Sequence, residues 1–154
     1  MSIGTNARAA PLCAQPAEQP ALNARVVQTQ LMVAALTCEQ RDRYNAFVQK
    51  FSPQLAESGQ TMKAVFKRQY GRSAENQMNQ FVTRLANDAS ARSRTTPGFC
   101  GDTLVLFDAL DKIEPVRLTE VATAQSFAAT HGIGVCGTAK NTGKKATAKT
   151  GNGK

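Results

Sequence analysis

The 154-residue sequence has no tryptophan, one histidine (His131) and 6% aromatic residues. Imidazole-based chemistry therefore rests on a single side chain. Long apolar runs are also missing. The longest, residues 31–36, has six residues, whereas a membrane-spanning helix needs about 20. No transmembrane helix is expected.

The four cysteines, Cys13, Cys38, Cys100 and Cys136, include no CxxC pair. Zinc sites usually draw ligands from such local pairs, so neither a structural metal nor any other cofactor is expected. An even cysteine count in a small chain points to disulfides, and hence to an oxidising compartment. The opening stretch "MSIGTNARAAPLCAQPAEQPA" lacks the apolar core of a complete signal peptide. Its "ARAA" (residues 7–10) has the small-x-small shape of a cleavage site. It reads equally well as the end of a leader or as an Ala/Pro-rich lead-in. "APLC" is not a lipoprotein box, because leucine directly precedes the cysteine.

What is present is mostly helical. The polar residues 1–19 lack periodicity and read as a disordered lead-in. Residues 20–130 read as a helical domain, and residues 131–154 as a Gly/Lys-rich flexible tail. A first helix over residues 21–36 is apolar on most sides near its end, which suits a central position. Thr37 is expected to cap a second helix by a reciprocal capping box with Gln40. Tyr44, Phe47, Val48, Phe51 and Leu55 line one face of it. Pro53 must kink or restart that helix, with Ser52 as a new cap. Gly71 is its expected C-cap. Ser73 then starts a third helix, on which Met78, Phe81, Val82, Leu85, Ala86 and Ala89 recur at helical spacing. A fourth helix turns Leu104, Phe107 and Leu110 inward, and a weaker, partly docked helix starts at Pro115. The fold class is all-α, a compact bundle of four to five helices with disordered flanks.

Net charge is +8, but unevenly placed. Residues 140–154 hold five lysines and no acid, which leaves 14 basic against 11 acidic residues elsewhere. Lys140, Lys144, Lys145 and Lys149 in this tail are candidates for polyanion binding through phosphate contacts. The tail has no aromatic residue on which to stack a base. On the helices, Lys63, Lys67, Arg68, Arg72 and Arg84 are the matching candidates, with Arg92 and Arg94 nearby. The alternative for these is ordinary solvation and helix-end charge.

Catalytic constellations are weak. "THGIGVCG" holds His131 and Cys136 in a glycine-rich segment with no scaffold to orient a base on a nucleophile. It also lacks the strand and helix that a phosphate loop requires. Asp108 and Asp111 stand at i, i+3 and are expected on a solvated outer face. Tyr44, Asn45 and Tyr70 read as core-edge residues or the rim of a small polar pocket. No catalytic residue is assigned, and the chain is expected not to be an enzyme.

"TCEQRDRYNAFVQKFSPQL" (residues 37–55), "FKRQYG" (66–71) and "NQFVTRLANDASARS" (79–93) resemble a group of small bacterial exported helical proteins with no assigned function. The resemblance spans residues 22–112. It implies a helical body, export, and cysteines at the start of the second helix and after the third, which correspond to Cys38 and Cys100. It brings no activity or cofactor.

Four cysteines allow three pairings. In an antiparallel bundle the starts of the second and fourth helices share one end, which favours Cys38–Cys100 and leaves Cys13–Cys136 across the flanks. The leading expectation is a non-enzymatic, disulfide-stapled protein of the periplasm or a secreted one. It would bind or organise a protein or an anionic polymer at the cell envelope, with homo-oligomerisation as a further means. The competing expectation is a nucleic-acid or polyanion binder acting through the tail. Reduced cysteines would place the chain in the cytoplasm instead.

Overall fold

A computed structural model describes residues 11–137. Among them six helices follow one another: α1 Gln19–Thr37, α2 Arg41–Lys50, α3 Ser52–Tyr70, α4 Ala74–Thr95, α5 Phe99–Asp111 and α6 Leu118–Thr123. Two two-residue strands, β1 Cys13–Ala14 and β2 Gly134–Val135, pair in parallel. The architecture is all-α, as the periodicity predicts.

α1 is the hub. Twelve of its nineteen residues are buried, and it packs against α3, α4 and α6. One side of it, with Val27 and Leu31, enters a cluster with Phe47, Phe51, Phe107 and Leu118. Another side, with Leu22 and Val26, enters a second cluster with Val65, Phe66, Phe81 and Leu85. A helix flanked by two cores cannot be amphipathic, which explains its apolar character on most sides. Its buried polar residues find partners. Asn23 donates to Thr123 Oγ1 at 3.1 Å, and Gln30 accepts from Arg92 at 2.6 Å.

The junction after α1 differs from the expected capping box. α1 runs through Thr37, and α2 starts only at Arg41 without a side-chain cap. Glu39 turns left-handed at φ 56°, and Gln40 N–H donates back to the Ala35 carbonyl at 3.0 Å. This is the six-to-one bond of a Schellman closure, so the local residues satisfy the end of α1 rather than the start of α2. Cys38 is accordingly the C-cap of α1, not part of the next helix.

The break at Pro53 is a restart. Phe51 stands between α2 and α3, and Ser52 is the first helical residue rather than the cap. Pro53 cannot donate to the preceding turn, so the new helix uses it where no donor is needed. Gly71 ends α3 at φ 54°, as expected. Ser73 occupies the N-cap of α4, though its hydroxyl makes no capping bond. On α4, Phe81, Leu85 and Ala89 are buried, while Met78, Val82 and Ala86 are half-buried. On α5 the inward residues include Phe99, Thr103 and Leu106 beside Phe107 and Leu110, whereas Leu104 is half-buried.

Both flanks extend the ordered body beyond residues 20–130. Ala14 is fully buried and Ile133 nearly so, each in the second cluster. Residues 11–19 are thus not a disordered lead-in, and residues 131–137 are not a flexible tail. The α6 region is docked as well, with Leu118 and Ala122 buried against α1. The cleavage-like residues 7–10, and Lys140, Lys144, Lys145 and Lys149, lie outside the described residues.

Candidate functional site: a cationic notch between α3 and α4

α3 ends where Gly71 reverses the chain, and α4 begins three residues later. Lys63 and Lys67 stand at i, i+4 on α3, so they share a face. Arg72 follows in the connecting 3₁₀ turn, Gly71–Ser73. Together with Phe66, Ala74, Glu75 and Met78 they line a notch of about 300 Å³. Its basic residues are exposed, Phe66 is buried beneath them, and Met78 is half-buried. Among the described residues, Lys63, Lys67 and Arg72 take part in no ion pair. Lys67 also lies in the last turn of α3, where the helix dipole favours a cation. One carboxylate, Glu75, faces three cations across this notch. The arrangement favours an anion over any cationic ligand.

Two expected members of the cationic face are committed elsewhere. Arg68 grips Glu18 with two hydrogen bonds of 2.9 Å and donates to the Cys13 carbonyl at 3.1 Å. That pairing holds the Glu18 carboxyl below, and the Arg68 guanidinium above, their ordinary pKa values. Arg84 donates to the carbonyl of His131 and to Asp88, and lies over the Phe81 ring. These residues fasten the flanks to the bundle. Arg92, half-buried beneath Phe127 and bonded to Gln30, is likewise structural. Its pKa is lowered by burial. Arg94 stays exposed in the last turn of α4.

Asp108 and Asp111 do not face solvent alone. Arg43 on α2 bonds both, at 2.6 and 2.8 Å, and its guanidinium sits 5.5 Å over Phe107. They join α2 to α5. Lys50 adds a second tie by donating to the Leu110 and Asp111 carbonyls at the end of α5. Among the described residues no group of three or more His, Cys, Asp or Glu side chains is placed to hold a metal. No described helix is long and apolar enough to cross a membrane.

His131 is buried, not mobile. Its Nδ1 accepts the Ile133 N–H at 2.9 Å, so its proton sits on Nε2, 3.1 Å from Asn23 Oδ1. Burial first, and the Arg84 charge second, push its pKa below the ordinary value. Cys136, five residues on, is bonded to Cys13. Tyr44 and Tyr70 sit half-buried at the edges of the two clusters, Tyr70 stacked on Phe66 at 5.9 Å, and Asn45 is exposed.

The cysteines pair as expected. Cys38–Cys100 joins Cα atoms 5.5 Å apart, and Cys13–Cys136 joins Cα atoms 4.7 Å apart. The geometric route differs from the expected one. The end of α1, not the start of the second helix, meets the first turn of α5. In the chain-entropy model closing 62 residues stabilises by about 4 kcal/mol, and closing 123 by about 5 kcal/mol.

Comparison with protein-family models, with curated proteins and with solved structures finds no match to this chain. Function has to be argued from the site itself.

Proposed function

We propose that this chain is a non-enzymatic binding module of an oxidising compartment, the periplasm or the cell exterior. There it engages an anionic envelope polymer through Lys63, Lys67 and Arg72. The observation that carries the reading is selective pairing. Arg43, Arg68, Arg84 and Arg117 are each tied to a carboxylate, whereas these three cations line one notch with the single carboxylate Glu75 and, among the described residues, are ion-paired to none. Uncompensated charge at a concave site raises the local concentration of a polyanion and steers its approach. Two disulfides in a chain of this size support the compartment. The sequence resemblance to bacterial exported helical proteins agrees with it.

The test is salt-dependent binding of the oxidised full chain to a polyphosphate probe. Charge reversal of Lys63, Lys67 and Arg72 to Glu is expected to weaken binding at least tenfold at low salt and to flatten the salt dependence. Unchanged binding in that variant, with loss on deleting residues 140–154, would move recognition to the lysine tail. Unchanged binding in both variants would discard the polyanion reading. The compartment is tested separately, by counting thiols in denatured, unreduced protein from its native host. No free thiol is expected.

A further inference from the structure

The two disulfides occupy different settings. Cys38 and Cys100 sit at the ends of α1 and α5, and both helices are anchored in the first core cluster. Their thiols would stay close after reduction, so the bond readily re-forms. Cys13 sits instead on the two-residue strand β1, and Cys136 directly follows its partner strand β2. These strands are held by the Cys136 N–H to Ala14 carbonyl bond of 2.8 Å, by Gln19 on the Ile133 carbonyl, and by Ala14 and Ile133 in the second cluster. Short flank segments open locally at lower cost than packed helices.

Charge separates the two bonds further. The Arg68 guanidinium lies 4.0 Å from Cys136 Sγ and also bonds the Cys13 carbonyl. A cation beside sulfur stabilises the thiolate and makes it the better leaving group. Glu18 shares this guanidinium and offsets part of its charge. Cys100 lies in the first turn of α5, where the dipole would favour a thiolate, but Asp102 in the same turn opposes it.

We infer that Cys13–Cys136 is a reversible thiol-exchange site whose co-reactant is a dithiol, while Cys38–Cys100 is the permanent staple. In the first step a reductant thiolate attacks Cys13 Sγ and forms a mixed disulfide there. The Cys13–Cys136 bond breaks, and its electron pair departs on Cys136 Sγ beside Arg68. The reductant's second thiolate then attacks its own sulfur in the mixed disulfide and releases Cys13 as a thiolate. Two electrons pass from the dithiol to the cystine, and the protons lost by the dithiol are available to the two released thiolates. Opening frees β1 and β2 from each other. It also loosens Leu12 and Ile133, which wall a cleft of about 490 Å³ with Phe66, Tyr70 and Phe81.

The experiment treats oxidised full-length protein with graded dithiothreitol or glutathione, quenches with acid, alkylates, and maps the labelled cysteines. It needs no knowledge of the native compartment or of the polyanion. Cys13 and Cys136 are expected to label about tenfold faster than Cys38 and Cys100. The trapped glutathione adduct is expected on Cys13. Glu18→Gln should speed exchange several-fold and Arg68→Gln should slow it, at unchanged helical circular dichroism. Equal labelling of the two pairs, or earlier labelling of Cys38 and Cys100, would overturn the inference. An adduct on Cys136, or an Arg68→Gln variant that exchanges as fast as the parent, would remove Arg68 from it.

Discussion

His131 Nε2 lies 3.1 Å from Asn23 Oδ1, tying the segment after α6 to the middle of the fold across 108 positions of sequence. The ring is buried and accepts a backbone N–H on Nδ1, so it is held neutral. Burial and Arg84 lower its folded pKa below 6.5. The unfolded chain therefore binds a proton below about pH 6.5 that the folded chain refuses. Stability from this group is complete above pH 6.5 and declines as the pH falls towards the folded pKa. Glu18, lowered chiefly by its hydrogen bond to Arg68, adds loss of the same sign only below its ordinary 4.5. Urea melts between about pH 7 and 5 should show declining stability, and His131→Gln should flatten that slope. An identical slope in the variant would rule out His131 as its source.

Glu39 holds φ at 56° in the C′ position of α1. A side chain with a Cβ pays for this conformation and glycine does not. Glu39→Gly is expected to stabilise the protein by about 0.5–1 kcal/mol, after the entropy that glycine adds to the unfolded chain. Thermal or urea unfolding checks it. Destabilisation would mean that the Glu39 side chain makes a contact worth more than its backbone strain.

Arg43 ties Asp108 and Asp111 while lying over Phe107. Its side chain is 29% exposed and both carboxylates are over half exposed, so each ion pair is worth well under 1 kcal/mol. The two pairs and the ring contact together should make Arg43→Ala cost about 1–2 kcal/mol. Molar salt should reduce that cost, because screening weakens the ion pairs but not the ring contact. A cost independent of salt would assign the whole effect to packing on Phe107.

Much of the fold is legible in the residues. The run Phe81, Leu85, Ala89 repeats at helical spacing and places α4 correctly. Pro53 and Gly71 mark a break and an end by backbone chemistry alone. The capping box at Thr37 was a sound local pattern that lost to another local pattern, the closure at Glu39 and Gln40. Two satisfactory hydrogen-bond solutions exist within four residues, and the chain adopts the one that closes the end of α1 and leaves Cys38 bonded to Cys100.

The candidate site was legible only in part. Lys63, Lys67 and Arg72 lie on adjoining elements, so their clustering follows from helix periodicity and one turn. That Arg68 and Arg84 leave this surface could not be read, because their partners Glu18 and His131 lie 50 and 47 positions away. The docking of the flanks is hidden in the sequence for the same reason. Residues 11–14 and 133–136 are each too short to show a period, and they become ordered only by pairing with each other over Ala14 and Ile133.

The helical class, the breaks at Pro53 and Gly71, the even set of cysteines and a surplus of basic side chains follow from the residues alone. These are local properties of backbone freedom, spacing and composition. Which cations stay unpaired, the burial of His131, and the closure of the end of α1 on α5 and of one flank on the other arise from the packed fold. Those outcomes depend on which distant side chains meet, and that is set by how two cores pack around α1.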